Sequence, residues 1–152
     1  MFRVIVKNDV VFSCSKDKLL KAWSITNKEL KYEFDNDGHI YDMFIGREGT
    51  PLANRIVSIS GWGQFCRISD LETGKQVKKI SLAGICLSIA VDNAQTMIAI
   101  GYAHIVTFIE TTNFTEVKEV RLWSGVHSLA FNNRNDCMLA VTKNGEVHAF
   151  KF

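Results

Sequence analysis

The stretch that decides the fold is VFSCSKDKLLKAWS, residues 11–24. Two short apolar runs flank the polar tetrapeptide SKDK, and the second run closes on Trp23. Short apolar runs separated by a polar turn are typical of a β-hairpin and give no helical periodicity. The stretch therefore predicts a strand, a turn and a second strand.

The same pattern recurs three times further along the chain. VSISGWGQFCRISD (57–70), MIAIGYAHIVTFIE (97–110) and MLAVTKNGEVHAFK (138–151) align with residues 11–24 without an internal gap. Other short β-rich runs lie between these hairpins and bring the total to about fifteen strands, the first over residues 2–6. A period of about 40–45 residues with four strands in each repeat is typical of propeller blades.

The opening stretch also resembles the second and third strands of a WD repeat, whose usual form reads LASGSDDKTIRVWD. The residues that match this family's structural positions are Ser13, Asp17, Trp23 and the dipeptide Gly38-His39. ISDLETGK, residues 68–75, is similar to the family's IWDLETGK. In the family, Asp, His, Ser and Trp form a hydrogen-bonded tetrad inside one blade. The resemblance implies structural roles for the matching residues, although no single repeat of this chain carries all four residue types.

We therefore predict an all-β fold of WD-type propeller blades in a single partial domain. The predicted units are residues 1–35, 36–81, 82–122 and 123–152, and the last unit lacks its outer strand. Rings of this family close with roughly six to eight blades, so about four blades leave the ring incomplete. Two interpretations remain open: the chain is the C-terminal part of a longer propeller, or it completes a ring with another propeller half or a second copy.

Composition excludes several functional classes. The 152 residues include 18 basic and 16 acidic side chains, a net charge of +2 that gives no argument for binding nucleic acid or an anionic membrane. The four cysteines form no CxxC pair and no zinc spacing, so we expect buried free thiols and a location in the cytoplasm or nucleus. The chain carries no recognised catalytic or phosphate-binding motif, and we predict no enzyme activity, cofactor or metal.

The variable turns of the repeat are the candidate binding positions. In a propeller, the turns between second and third strands share a surface with the loops that link blades. The side chains predicted to bind a partner there are Lys16, Trp62, Tyr102, His104 and Lys143. Trp62 lies in a Gly-Trp-Gly turn, where an exposed Trp is a good interface anchor. The alternative is that it folds back onto its own blade or covers the central channel. Trp123, in a linking loop, is expected to pack in the core or between blades.

The resemblance implies a non-catalytic scaffold that presents its loop surfaces to protein partners. An alternative is an accessory subunit of an RNA-associated or RNA-modifying complex. A basic patch would favour that alternative, but the balanced charge does not indicate one.

Overall fold

The computed structural model describes residues 3–152, which form fifteen β-strands and no helix. The strands are β1 (Arg3–Lys7), β2 (Val10–Cys14), β3 (Leu19–Ser24), β4 (Leu30–Asp35), β5 (Ile40–Ile45), β6 (Arg55–Ser60), β7 (Phe65–Asp70), β8 (Gln76–Ser81), β9 (Cys86–Val91), β10 (Met97–Tyr102), β11 (Ile105–Glu110), β12 (Thr115–Arg121), β13 (Val126–Phe131), β14 (Cys137–Thr142) and β15 (Val147–Lys151). Phe2, the first residue of the first predicted strand, lies outside the described residues. Residues 3–152 hold no helix that could cross a membrane.

The strands form four antiparallel sheets, each made of consecutive strands in chain order. Sheet 1 contains β1–β4, sheet 2 contains β5–β8, sheet 3 contains β9–β12, and sheet 4 contains β13–β15. The predicted all-β fold of repeated hairpins is confirmed, and the arrangement is consistent with a propeller-like fold. Sheet 4 has three strands where the others have four, as the sequence predicted.

Three hydrophobic clusters hold the sheets in a series. One cluster joins sheets 1 and 2, a second joins sheets 2 and 3, and a third joins sheets 3 and 4. The first strands of neighbouring sheets, β1, β5, β9 and β13, also contact one another along the series. Within residues 3–152 no such cluster joins sheet 4 to sheet 1, so the series is open at both ends.

Burial along the strands follows from this series. The hairpin strands β6, β7, β10 and β11 are buried over nearly their whole length, because sheets 2 and 3 are covered on both faces. The hairpin strands β3 and β14 instead alternate between more and less buried residues, because sheets 1 and 4 have a neighbour on one face only.

The sheets repeat each other in detail. In the three four-stranded sheets, the pairing of third and fourth strands shifts at equivalent places, namely between Ala22 and Trp23, between Ile68 and Ser69, and between Phe108 and Ile109. A shift of this kind is a β-bulge, which increases the local twist of the strands. The shared bulge position supports one structural repeat for the first three sheets.

The turns of the hairpins differ in length, which corrects the ungapped alignment. The equivalent cross-strand pairs are Cys14 with Leu20, Ile59 with Cys66, Gly101 with Val106, and Val141 with Val147. They enclose residues 15–19, 60–65, 102–105 and 142–146. Phe12 is therefore equivalent to Val57 and not to Ser58, as the gap-free alignment implied. In sheet 3 the equivalent of Phe12 is Ala99. The third strands of all four sheets match as the gap-free alignment placed them.

Candidate protein-binding surface

One end of the four sheets collects the hairpin turns and the segments that link one sheet to the next. The linkers are residues 36–39, 82–85 and 122–125, and we call this end the linker surface. Main-chain bonds join linkers to turns here: Gly61 N–H donates to the His39 carbonyl at 3.0 Å, and Lys143 N–H donates to the Gly125 carbonyl at 2.7 Å. Turns and linkers therefore share one surface, as the propeller interpretation expects.

The Gly-Trp-Gly turn projects one side chain into solvent. A Cβ on Gly61 would lie 2.0 Å from the Tyr41 ring, and a Cβ on Gly63 would lie 2.2 Å from the Phe65 ring. Glycine is needed at both positions because the turn lies directly against these two rings. Trp62 points away from them and is 68% exposed. The alternative that Trp62 folds back into its own sheet is not what the structure shows.

Trp62 belongs to a cluster formed by turns and linker of sheets 1 and 2. The His39 ring lies edge-on to the Trp62 ring, with centroids 6.3 Å apart. His39 Nδ1 also lies within hydrogen-bonding distance of the Lys16 main-chain carbonyl. The linker histidine thus connects the two predicted residues Lys16 and Trp62.

Near this cluster, the Asp37 carboxylate forms ion pairs with two basic side chains. The Arg67 guanidinium and the Lys79 ammonium approach the same Asp37 carboxylate oxygen at 3.0 Å and 3.2 Å. The hydrogen bond from Lys79, helped by the charge of Arg67, lowers the pKa of Asp37. The Lys79 ammonium also lies 4.1 Å from the centre of the Phe65 ring. This network ties the linker between sheets 1 and 2 to β7 and β8, and the sequence alone did not identify it.

A second cluster lies between sheets 3 and 4. Residues 121–125, together with Ala103 and His104, line an open depression of about 640 Å³. Leu122 N–H donates to the His104 carbonyl at 2.7 Å, and Val126 N–H donates to the Ala103 carbonyl at 2.6 Å. His104 and Lys143 are both exposed at this end, and the Lys143 side chain lies over the position where a Gly125 Cβ would be.

Trp123 is the residue that the sequence interpretation placed wrongly. We expected it to pack in the core or between blades, but it is 98% exposed at the edge of this depression. The linkers explain the difference, because their second residue is exposed in all three: Asp37, Ala83 and Trp123. The residue before it is buried each time, so aligning the three linkers is the signal that would have identified Trp123.

Tyr102 also needs a correction. It was expected in a turn and available to a partner, but β10 extends through it and leaves it 3% exposed. Its hydroxyl lies 3.0 Å from the Thr107 hydroxyl, and burial raises the pKa of Tyr102. The Tyr102 ring packs in the core between sheets 2 and 3, so it is no part of the linker surface.

The residues that match the WD-repeat pattern do not join into a tetrad. The Asp17 carboxylate accepts a hydrogen bond from the Leu19 N–H at 3.0 Å and so caps its own turn. Trp23 is 39% exposed on the free face of sheet 1. In residues 3–152 no hydrogen bond joins the side chains of Ser13, Asp17, Trp23 and His39 to one another.

The described part of the chain holds no group of three or more His, Cys, Asp or Glu side chains that could bind a metal ion. The cysteines are all free thiols, and Cys14, Cys66 and Cys86 are buried. A second depression of about 490 Å³ lies between sheets 1 and 2 at the opposite end of the sheets, lined partly by Lys7, Asn8 and Glu72. None of the predicted partner-binding residues lines that depression.

Comparison with known proteins gives similarity of fold only. No protein-family model and no curated protein sequence matches this chain. The crystal structure of the computationally designed Ika4 protein is similar, with a TM-score of 0.81 and 17% identity over 98% of this chain and 89% of that one. The crystal structure of the computationally designed Ika8 protein has a TM-score of 0.81 and 16% identity over 98% of this chain and 45% of that one. This chain therefore spans about half the length of Ika8.

Proposed function

We propose that this chain is a non-catalytic scaffold of WD-type propeller blades that binds protein partners through the linker surface. The observation that carries the proposal is the exposure of two tryptophans at this end, Trp123 at 98% and Trp62 at 68%. Exposed Trp side chains supply large rigid contact area and are frequent anchors of protein interfaces. The scaffold role rests on the resemblance to WD repeats and not on the fold alone, because one fold hosts many functions.

The surroundings of the two tryptophans favour a peptide or loop that carries acidic side chains. Lys16 lies at the turn beside Trp62, and the side chains around Trp123 include His104, Arg121 and Lys143. Lys16 and Lys143 carry positive charge, whereas the Arg121 guanidinium already pairs with Glu119 at 3.2 Å. Opposite charge across an interface steers encounter and fixes register. We therefore expect a partner segment with an apolar anchor flanked by Asp or Glu.

The proposal is tested by selecting peptides from a displayed random library against the wild-type chain. The affinity of each selected peptide is then measured for the wild type, Trp62→Ala and Trp123→Ala. Loss of a central aromatic anchor typically weakens binding by about 2 kcal/mol or more, roughly 30-fold. A matched control is Val77→Ala, because Val77 is 47% exposed on the outer strand β8, away from the linker surface. Peptides that bind all four proteins equally would refute a binding role for this surface.

The alternative, an accessory subunit of an RNA-associated complex, predicts a different result. Such a chain would be retained on heparin at low salt and released as the salt concentration rises. A Lys16→Ala, Lys143→Ala double variant would then elute earlier. Retention that is absent at low salt would exclude this alternative and would leave the protein-binding proposal intact.

A further inference from the structure

The free face of sheet 1 is a face that its equivalents in the other sheets keep covered. The Trp23 position corresponds to Ser69, Ile109 and Phe150 in the third strands of sheets 2, 3 and 4. Ser69 and Ile109 are fully buried, and Phe150 packs on the cluster between sheets 3 and 4. Each of these three positions faces the preceding sheet. Sheet 1 has no preceding sheet in residues 3–152, so Trp23 remains 39% exposed.

The residue paired with Trp23 follows the same rule. Val11 pairs with Trp23, and its equivalents Ile56, Ile98 and Met138 are each 0% exposed against the preceding sheet. The first strand of sheet 1 adds two more apolar side chains to this face, Val4 and Val6, which are 44% and 59% exposed. Sheet 1 thus presents a face that is apolar around Trp23 and Val11 and that also carries the Lys21–Glu33 ion pair at 3.4 Å, where the repeat covers the equivalent faces of the other sheets.

The free face of sheet 4 is the complementary one. Leu139 is 43% exposed, although its equivalents Phe12, Val57 and Ala99 are 2%, 0% and 0% exposed under the following sheet. Val147 is 62% exposed for the same reason. Sheet 4 therefore lacks a following sheet just as sheet 1 lacks a preceding one.

Internal junctions show how two such faces meet. Phe12 packs with Ile56 in the cluster between sheets 1 and 2, and Val57 packs in the next cluster. Ala99 and Met138 repeat the pairing between sheets 3 and 4. If a further sheet 1 followed sheet 4, the same geometry would bring Leu139 onto Val11.

At two of the three internal junctions, a loop side chain accepts a hydrogen bond from the main chain of the preceding sheet; between sheets 1 and 2 the acceptor position is Ala53, which has no side-chain carbonyl. The Gln95 side-chain carbonyl accepts a hydrogen bond from the Arg47 N–H of the preceding sheet at 2.9 Å. The Asn135 side-chain carbonyl accepts from the Asn93 N–H of the preceding sheet at 2.8 Å. Gln95 and Asn135 both have positive φ, 57° and 60°, two residues before the second strand of their sheets.

The acceptor position of this contact is free in sheet 1, and the donor position is free in sheet 4. Asn8 stands two residues before β2 with φ of 53°, which is the acceptor position in sheet 1. Asn133 stands two residues after β13, which is the donor position in sheet 4. In residues 3–152 neither the Asn8 side chain nor the Asn133 N–H forms a hydrogen bond. The ends of the series are therefore complementary in both apolar and polar character.

We propose that a second copy of this chain covers both faces, with sheet 4 of each copy packed on sheet 1 of the other. The interface is head-to-tail at both junctions, and a two-fold axis closes a ring of eight sheets. The proposal rests on the propeller architecture given under the proposed function. This chain aligns over 98% of its length with 45% of Ika8, so the rest of Ika8 is long enough to hold a second unit of this size.

The test is the solution mass of charge variants, alone and mixed. Val11→Lys blocks the face of sheet 1, and Leu139→Glu blocks the face of sheet 4. We expect the wild type at twice 17.1 kDa and each single variant at 17.1 kDa in sedimentation experiments. An equimolar mixture of the two variants recovers the dimer, because one junction is then wild-type and the other joins opposite charges. Val77→Lys places the same new charge on the exposed outer strand β8 and leaves the wild-type mass unchanged.

Circular dichroism of each variant separates loss of association from loss of folding, and any variant that unfolds is replaced by the milder Val11→Ser or Leu139→Ser. A wild type that stays at 17.1 kDa overturns the proposal, and further blades of a longer propeller would then be the occupant of these faces. Masses that grow without limit indicate open fibres and overturn ring closure. A mixture that stays monomeric overturns the head-to-tail arrangement. Peptide binding at Trp62 and Trp123 is measured separately, so it survives or fails independently of these results.

Discussion

Phe108 is the side chain whose removal best tests the packing of one sheet on the next. It is 1% exposed, lies in the cluster that joins sheets 3 and 4, and meets the Phe152 ring edge-on at 5.4 Å between centroids. Truncation of a buried Phe to Ala costs about 3–5 kcal/mol, from lost burial and the cavity left behind. Whole domains are stable by roughly 5–15 kcal/mol, so this single change removes a large part of the total.

The assay is urea unfolding of Phe108→Ala at a fixed protein concentration, since association would add to the apparent stability. With an m value of about 2 kcal/mol per molar, the midpoint falls by roughly 1.5–2.5 M. The matched control is Trp123→Ala, whose side chain is 98% exposed and whose removal changes stability by about 0.5 kcal/mol or less. If both variants unfold at the same urea concentration, sheets 3 and 4 do not share the packed core described above.

Two further predictions concern titratable groups. Burial raises the pKa of the Cys14 thiol to about 11 and that of the Cys86 thiol to about 12. It also raises the pKa of Cys66. At pH 8, a thiol reagent should therefore react quickly with only the less buried Cys137 in the native chain. In urea it should react with all four thiols. Rapid reaction of more than one thiol in the native chain would contradict this burial. The Asp9 carboxylate accepts hydrogen bonds from Thr26 and Ser24, and these bonds lower the pKa of Asp9. The stabilisation by the charged Asp9 is therefore complete above the ordinary pKa of Asp and is lost as the pH falls through the lowered pKa. Asp9→Asn should thus lower the melting temperature at pH 6 by more than at pH 3, and an equal decrease at both pH values would show that the charge of Asp9 plays no part.

The hairpins and their third strands were predictable because a continuous apolar run between polar turns has few other structures available. The second strands of sheets 2 and 3 were not aligned correctly, whereas that of sheet 4 was. Phe12 matches Ser58 in a gap-free alignment, yet the strand pairing makes Val57 its structural equivalent in sheet 2. Turn length decides that register, and it depends on how Gly61 and Gly63 fit against two aromatic rings, which composition does not report.

The candidate surface was predictable in outline but not in its most exposed residue. Trp62 was identified from its Gly-Trp-Gly turn, and it is exposed as that interpretation required. Tyr102 was expected to be exposed and is buried, whereas Trp123 was expected to be buried and is exposed. A Tyr at the end of an apolar strand continues into the core, whereas a Trp in a linker takes the exposure that the linker position imposes. Large apolar side chains favour burial on average, and backbone position decides the individual case.

The face around Trp23 is, in our proposal, an interface between sheets that the single chain leaves uncovered. The most direct measurement is the fluorescence of Trp23 in a chain whose other tryptophans are replaced, Trp62→Phe with Trp123→Phe, recorded as protein concentration rises. We expect the emission to shift to shorter wavelength on association, because a 39% exposed indole becomes covered, and we expect Val11→Lys to abolish the shift. Emission that keeps the wavelength of a half-exposed indole at every concentration would contradict it.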